Sequence, residues 1–190
     1  MTPCGDTEGD ENCIAAIEAL FKAYGSLRYG EEVTQLEHAL QCGFLAQESG
    51  AAPALILAAV LHDIGHMLHP DAAAAVAADQ NDAHERLGAQ ALSKWFGRSV
   101  SEPVRLHVQA KRWLCLRHQD YWEQLSPQSK RTLELQGGAM TAPEADEFER
   151  LPYSREALQL RRWDDLAKRA DHPTPSLSHY LGLARGLLQS

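Results

Sequence analysis

The chain has 190 residues, 44% of them hydrophobic and 23% charged, which is enough to bury one sizeable core and too apolar for a disordered chain. A net charge of -8 and a pI near 5.5 exclude a general nucleic-acid or anionic-membrane surface, leaving room only for a small, concave anion pocket. Cys4, Cys13, Cys42 and Cys115 lie far apart with no CxxC pair, so neither a disulfide framework nor a thiolate zinc site is expected.

Residues 1–12 are acidic and contain glycine, and they read as a flexible N-terminus; they show no basic start followed by an apolar stretch, so no secretory signal is read and the expected location is cytoplasmic. From Cys13 to Tyr24, the residues Ile14, Ile17, Leu20, Phe21 and Tyr24 recur at helical spacing, and Gly25 ends the helix. Thr34 caps a second helix that carries His38, with Leu36, Leu40, Phe44 and Leu45 facing inward until Gly50. Ala54 to Leu61 is apolar all round, as in a central buried helix, and His62, Asp63 and His66 interrupt the stretch that follows, which argues against a membrane span. The Ala-rich run from Asp71 to Asp82 fits either a helix or a lid.

Beyond it, a helix holds His84, Leu87, Ala91, Leu92 and Trp95 and stops at Gly97. Pro103 suits the first turn of another, which puts His107 and Lys111 on one face. Gln124 to Gly138 reads as a polar helix, and Glu144 to Ala170 as a helix interrupted near Pro152 with Asp164 facing inward. Cys42 and Cys115 sit in helical patterns as small buried hydrophobes. These elements predict a single all-α domain over residues 1–190, its core at about 13–170.

The densest chemical signal is His62-Asp63-Ile64-Gly65-His66 at the end of the apolar helix. A carboxylate against an apolar wall needs a partner, and imidazole beside carboxylate is a good ligand pair for a divalent or trivalent metal ion. His38, His84, His107 and Asp164 also fall on helices among apolar neighbours, whereas His69, His118, His172 and His179 have polar or turn-like surroundings and read as surface residues. Such ligand types serve iron, manganese, zinc and nickel alike.

His38, the pair His62-Asp63 and Asp164, in that order, resemble the H…HD…D pattern of the HD superfamily. The resemblance implies a helical-bundle scaffold with one metal on those residues, and His84 and His107 match members in which the motif aspartate bridges to a second metal. The stretches Gly30 to Cys42, Leu61 to His66, His107 to Arg112, Thr132 to Gly138 and Arg161 to Asp164 are similar to the HD-domain mixed-valent diiron oxygenases of organophosphonate catabolism, the PhnZ-like oxygenases. That likeness spans residues from about 30 to 165. It implies an Fe(II)/Fe(III) pair, O2 as co-substrate, and cleavage of the C–P bond of a 1-hydroxy-2-aminoethylphosphonate-type substrate to phosphate and glycine or an N-methylated glycine.

The residues suit that role chemically. A phosphonate dianion needs cations and donors; Lys111, Arg161 and His66 offer them close to the metal ligands, with Ser129 and Gln136 as neutral donors. Taken alone, Lys111 and Arg161 also read as solvated helix charges and His66 as a helix-end hydrogen bond. By the resemblance, Glu31 meets the substrate's ammonium group. The family tyrosine that gates the open iron position falls on Arg28, and Tyr29 one residue later is the gating candidate. The competing readings are a metal-dependent phosphohydrolase, in which the same metals generate hydroxide, and a metabolite sensor with a structural metal. The expected partner is a small organophosphonate, with no nucleic acid and no membrane; the sequence leaves the oligomeric state open.

Overall fold

The computed structural model describes residues 7–28, 32–68 and 83–189, with side chains from Glu11 on. Helices follow one another as α1 (Thr7–Tyr24), α2 (Gln35–Glu48), α3 (Pro53–Leu61), α4 (Ile64–Leu68), α5 (His84–Leu92), α6 (Arg98–Arg117), α7 (Tyr121–Gln124), α8 (Pro127–Leu135), α9 (Ala142–Arg150), α10 (Ser154–Leu166) and α11 (Leu177–Arg185). Among the described residues the fold is all-α, with one isolated bridge between Phe96 and Leu188 and no helix long and apolar enough to cross a membrane.

α1 starts at Thr7, ahead of the Cys13 start suggested by the apolar spacing, and buries Cys13, Ile14, Ile17 and Phe21. Thr34 caps α2 in a capping box: its backbone N–H donates to Glu37 Oε2 at 2.7 Å while its hydroxyl accepts from Glu37 N. The inward face of α2 is made of His38, Ala39, Cys42, Gly43 and Ala46; Leu36, Leu40, Phe44 and Leu45, expected inside, are only half-buried. Leu36, Leu40 and Leu45 still pack against the core from its margin, and closeness explains why the centre of the face is small. A Cβ on Gly43 would lie 2.4 Å from Val60 Cγ2 and 3.1 Å from Tyr180 Cζ, so α2 needs small residues where it meets α3 and α11. α3 is buried from Leu55 to Leu61, as its all-round apolar pattern predicts.

Pro103 falls inside α6, which starts at Arg98 behind Gly97 and not at the proline. The buried Val104, Leu106, Val108 and Leu114 hold the helix through the backbone bond that a proline cannot donate. The stretch read as one polar helix from Gln124 to Gly138 is broken: α7 ends at Gln124, and Ser126 caps α8 with Pro127 at its first turn. The interruption near Pro152 separates α9 from α10 as expected. Cys115 is half-buried, because that face of α6 turns partly to solvent, whereas Cys42 is fully buried.

α6 is the spine, packed against α10, α5 and α3. One core cluster joins α1 to α6, α10 and α11, with Tyr180, Leu181 and Ala184 contributed by α11, a helix the sequence reading did not include. A smaller cluster of Leu106, Ala110, Met140, Ala145, Phe148 and Ala157 ties α9 to the other side of α6 and α10.

Candidate metal centre

Five elements converge at one end of α3. His38 comes from α2, His62 and Asp63 from the turn after α3, His84 from the first position of α5, His107 from α6 and Asp164 from α10. Gly65 permits the approach of α4 to α5, because a Cβ there would lie 1.9 Å from the His84 carbonyl oxygen. The Nε2 atoms of His38 and His62 are 3.3 Å apart, and those of His84 and His107 are 3.2 Å apart.

Asp63 faces both pairs. Its Oδ2 is 3.8 Å from His38 Nε2, while its Oδ1 is 3.4 Å from His62 Nε2, 3.6 Å from His84 Nε2 and 3.7 Å from His107 Nε2. Asp164 sits on the first pair alone, with Oδ1 at 3.3 Å from His38 Nε2 and Oδ2 at 3.8 Å from His62 Nε2.

The backs of the rings fix what the fronts can do. Nδ1–H of His38 donates to Ala167 O at 2.9 Å, that of His62 to Ala59 O at 2.9 Å, and that of His107 to Val104 O at 2.7 Å. A neutral imidazole held this way turns only a lone pair forward from Nε2. Two Nε2 atoms 3.3 Å apart beside two carboxylates converge as ligand atoms on one point, so this donor set fits metal ions. Two groupings can each hold one: His38, Cys42 and His62, and Asp63, His84 and His107.

The same field acts on protons. Burial works against a charged His62, but Asp63 and Asp164 outweigh it and push its pKa up to about 9. For His107, burial and the neighbouring His84 and His62 act together and hold it well below the ordinary range. Burial also opposes charge on Asp63, yet His62, His66 and His84 keep it well below the usual carboxylate range.

Beside this cluster lies a buried cationic group. Lys111, 3% exposed, donates from Nζ to Thr132 Oγ1 at 3.0 Å, and burial followed by the Arg161 charge lowers its pKa to about 7. Arg161 is 4% exposed and donates from Nη1 to Asp164 Oδ2 at 2.6 Å and from Nη2 to Ser129 Oγ at 3.5 Å. Burial opposes its charge, and Asp164 and Asp165 more than restore it. The ring of His66 stacks on His84 with centroids 3.9 Å apart, its Nε2 4.0 Å from Asp63 Oδ1. Gln136 caps the end of α8, its Oε1 buried without a hydrogen-bond partner among the described residues, and no hydrogen bond ties it to Arg161. Tyr29, Glu31 and His69 lie outside the described residues.

Several neighbours went unread in the sequence. Cys42 Sγ is 3.9 Å from His38 Nε2, one helical turn along α2, a spacing that could have flagged it. Asp165 binds Arg161, its partner at i,i+4. Lys168 donates to Ser126 Oγ at 3.1 Å and to Ser129 Oγ at 3.2 Å. Tyr121, which donates to Asp165, carries no sequence signal at all, since its partner is 44 positions away.

A helical fold with histidines and aspartates gathered in this order defines a class, and residues 36–169 match the HD domain. The chain belongs to the HD-domain family. It is 46% identical over 170 residues to hydroxymethylphosphonate dioxygenase from Gimesia maris, a match covering 88% of this chain and 84% of that protein. It is 35% identical over 178 residues to the 1-hydroxy-2-(trimethylamino)ethylphosphonate dioxygenase (glycine-betaine-forming) of Leisingera caerulea, covering 93% and 91%. A third relative, uncharacterized protein L432 of Acanthamoeba polyphaga mimivirus, is 34% identical over 173 residues, covering 90% of this chain and 79% of its own.

Proposed function

We propose that this chain is an O2-dependent oxygenase that cleaves the C–P bond of a 1-hydroxyphosphonate, yielding a carboxylic acid and phosphate. The observation that carries the reading is Asp63 set between two histidine pairs, with the buried cations Lys111 and Arg161 beside them. His38, His62 and Asp164 would hold one iron ion, His84 and His107 the other, and Asp63 both. An Fe(II)/Fe(III) pair bound there supplies the activation of dioxygen and the chelation of the substrate's hydroxyl and phosphonate oxygens.

The protein's own groups do the rest. Arg161, cationic at every working pH, and Lys111 neutralise the phosphonate, and Ser129 adds a hydroxyl donor. His66, stacked on His84, would donate to a phosphonate oxygen. Burial of these groups keeps water from competing for them. The balance needs no external reductant: a 1-hydroxyphosphonate plus O2 gives the carboxylic acid plus phosphate.

Two substrates divide the reading. Glu31 favours 2-amino-1-hydroxyethylphosphonate and its N-methylated forms, with glycine or an N-methylated glycine as product. The relative at 46% identity favours hydroxymethylphosphonate, with formate as product. Aerobic incubation of the iron-loaded chain with hydroxymethylphosphonate and with the free, mono-, di- and trimethylated amines, following phosphate and acid, decides between them. Turnover is expected to stop when oxygen is removed. Phosphate release that continues anaerobically would establish the phosphohydrolase instead.

A further inference from the structure

A guanidinium offers five N–H donors fixed in one plane, so occupying one edge determines what the other edge can do. Asp165 takes one edge of Arg161: Nε donates to Oδ2 at 3.2 Å and Nη2 donates to Oδ1. Tyr121, from α7, closes the same edge. Its hydroxyl accepts from Arg161 Nε at 3.1 Å and donates to Asp165 Oδ2. The opposite edge, Nη1 and Nη2, is left facing Asp164 and Ser129.

Tyr121 and Asp165 also line an open groove of about 530 Å³ together with His118, Arg162 and Leu166, and Arg161 does not. The pair therefore stands between that groove and the guanidinium.

We propose that Tyr121 and Asp165 are positioning residues that clamp Arg161 from behind, presetting its other edge, which meets Asp164 and Ser129, toward the centre so that a phosphonate arriving beside Ser129 meets an already oriented fork. The inference rests on the reading of Arg161 as a phosphonate-binding residue. Physically, a buried arginine between two aspartates has two ways to pair bidentately. If Asp165 did not hold the Nε edge, the guanidinium could turn that edge onto Asp164 and withdraw its donors from the substrate. The Tyr121 hydroxyl, held in its protonated form by burial and by the Asp165 charge, blocks rotation of the fork by fixing Nε and Asp165 at once.

The test uses the full metal-loaded chain without oxygen, titrated calorimetrically with inorganic phosphate and with hydroxymethylphosphonate, followed by aerobic kinetics with the best substrate. Asp165→Asn is expected to weaken anion binding and raise KM by roughly 10- to 100-fold, the scale of a misplaced binding group, with kcat changed far less. Tyr121→Phe should weaken binding about 3- to 10-fold, the worth of one hydrogen bond. Asp165→Glu should recover much of the loss, and metal content should stay at the wild-type value in all three variants. Unchanged anion affinity in Asp165→Asn and Tyr121→Phe overturns the clamp. So does a loss of metal in step with the loss of binding that Asp165→Glu fails to rescue, since that marks a purely structural role. Tyr121→Phe leaves every charge in place and keeps the test available if Asp165→Asn does not fold. Wild-type protein that binds neither anion would bring down the phosphonate reading itself, a result distinct from a wild type that binds and variants that bind equally well.

Discussion

The imidazoles of the metal centre and the cations beside it are held by different means. His62 and His107 are fixed from behind by carbonyls three residues back in their own helical stretches, Ala59 and Val104. Lys111 and Arg161 are reached by side chains from other parts of the chain, Thr132, Ser129 and Tyr121, which for Arg161 add to Asp164 and Asp165 of its own helix. A ring braced by its own helix is in place as soon as that helix is, whereas a cation braced by distant side chains depends on α7, α8 and α10 docking together. His62 and His107 are thus locally braced, whereas His38, held by Ala167 O, and the contacts that α7 and α8 make in the anion half are products of tertiary packing.

The sharpest break is Asp63→Ala, which removes the one group that faces both histidine pairs. Metal content measured by elemental analysis should fall for both ions and oxygen-dependent turnover should fall below detection; retention of either would refute the bridging assignment. Gly65→Ala should separate the two pairs. The new methyl must displace the His84 backbone, so the ion on His84 and His107 should be lost or weakened while that on His38, His62 and Asp164 stays, at a cost of about 1–3 kcal/mol in stability.

The anion half responds to pH. Burial and the Arg161 charge both disfavour the charged form of Lys111 and lower its pKa to about 7. A phosphonate dianion needs the ammonium form, so its affinity should fall as pH rises above about 7, by up to about tenfold per pH unit. Lys111→Arg should flatten that profile; a variant profile as steep as the wild type would remove Lys111 from the site. The smallest effect is expected at a helix cap, one turn before His38, that supplies no ligand and no anion-binding group. Thr34→Ala breaks the capping box of α2 and should cost about 1 kcal/mol in thermal unfolding, with metal content and substrate affinity unchanged.

This division explains what could be read from the sequence. The order and apolar settings of His38, His62-Asp63, His84, His107 and Asp164 were visible because each sits on a helix, or directly at the end of one, whose periodicity is local, and the all-α fold follows from the same patterns. Asp165 was overlooked although its i,i+4 spacing to Arg161 is a helix-face signal, because its neighbour Asp164 drew the metal assignment. Tyr121 could not be found, since only folding brings it to Arg161 across 40 positions. On α2, Leu36, Leu40 and Leu45 pack against the core as expected but at its margin, because Gly43 lies where α3 and α11 come too close for a larger side chain. α11 did leave a signal, Ser176 as a cap and Leu177, Tyr180, Leu181 and Ala184 at helical spacing.

The bond from His38 to Ala167 O has a partner: Gln41 Nε2 donates to Arg169 O at 2.9 Å and Gln41 Oε1 accepts from Arg169 N at 3.0 Å. Together they stitch the early helix α2 to the chain just past α10. During synthesis His38, His62 and Asp63 leave the ribosome well before Asp164 and residues 167–169, so the first half of the centre cannot close until that late segment has emerged. An ion held there by His38, His62 and Asp164 would therefore be captured only by the finished fold, not by a nascent chain that already carries most of the histidines.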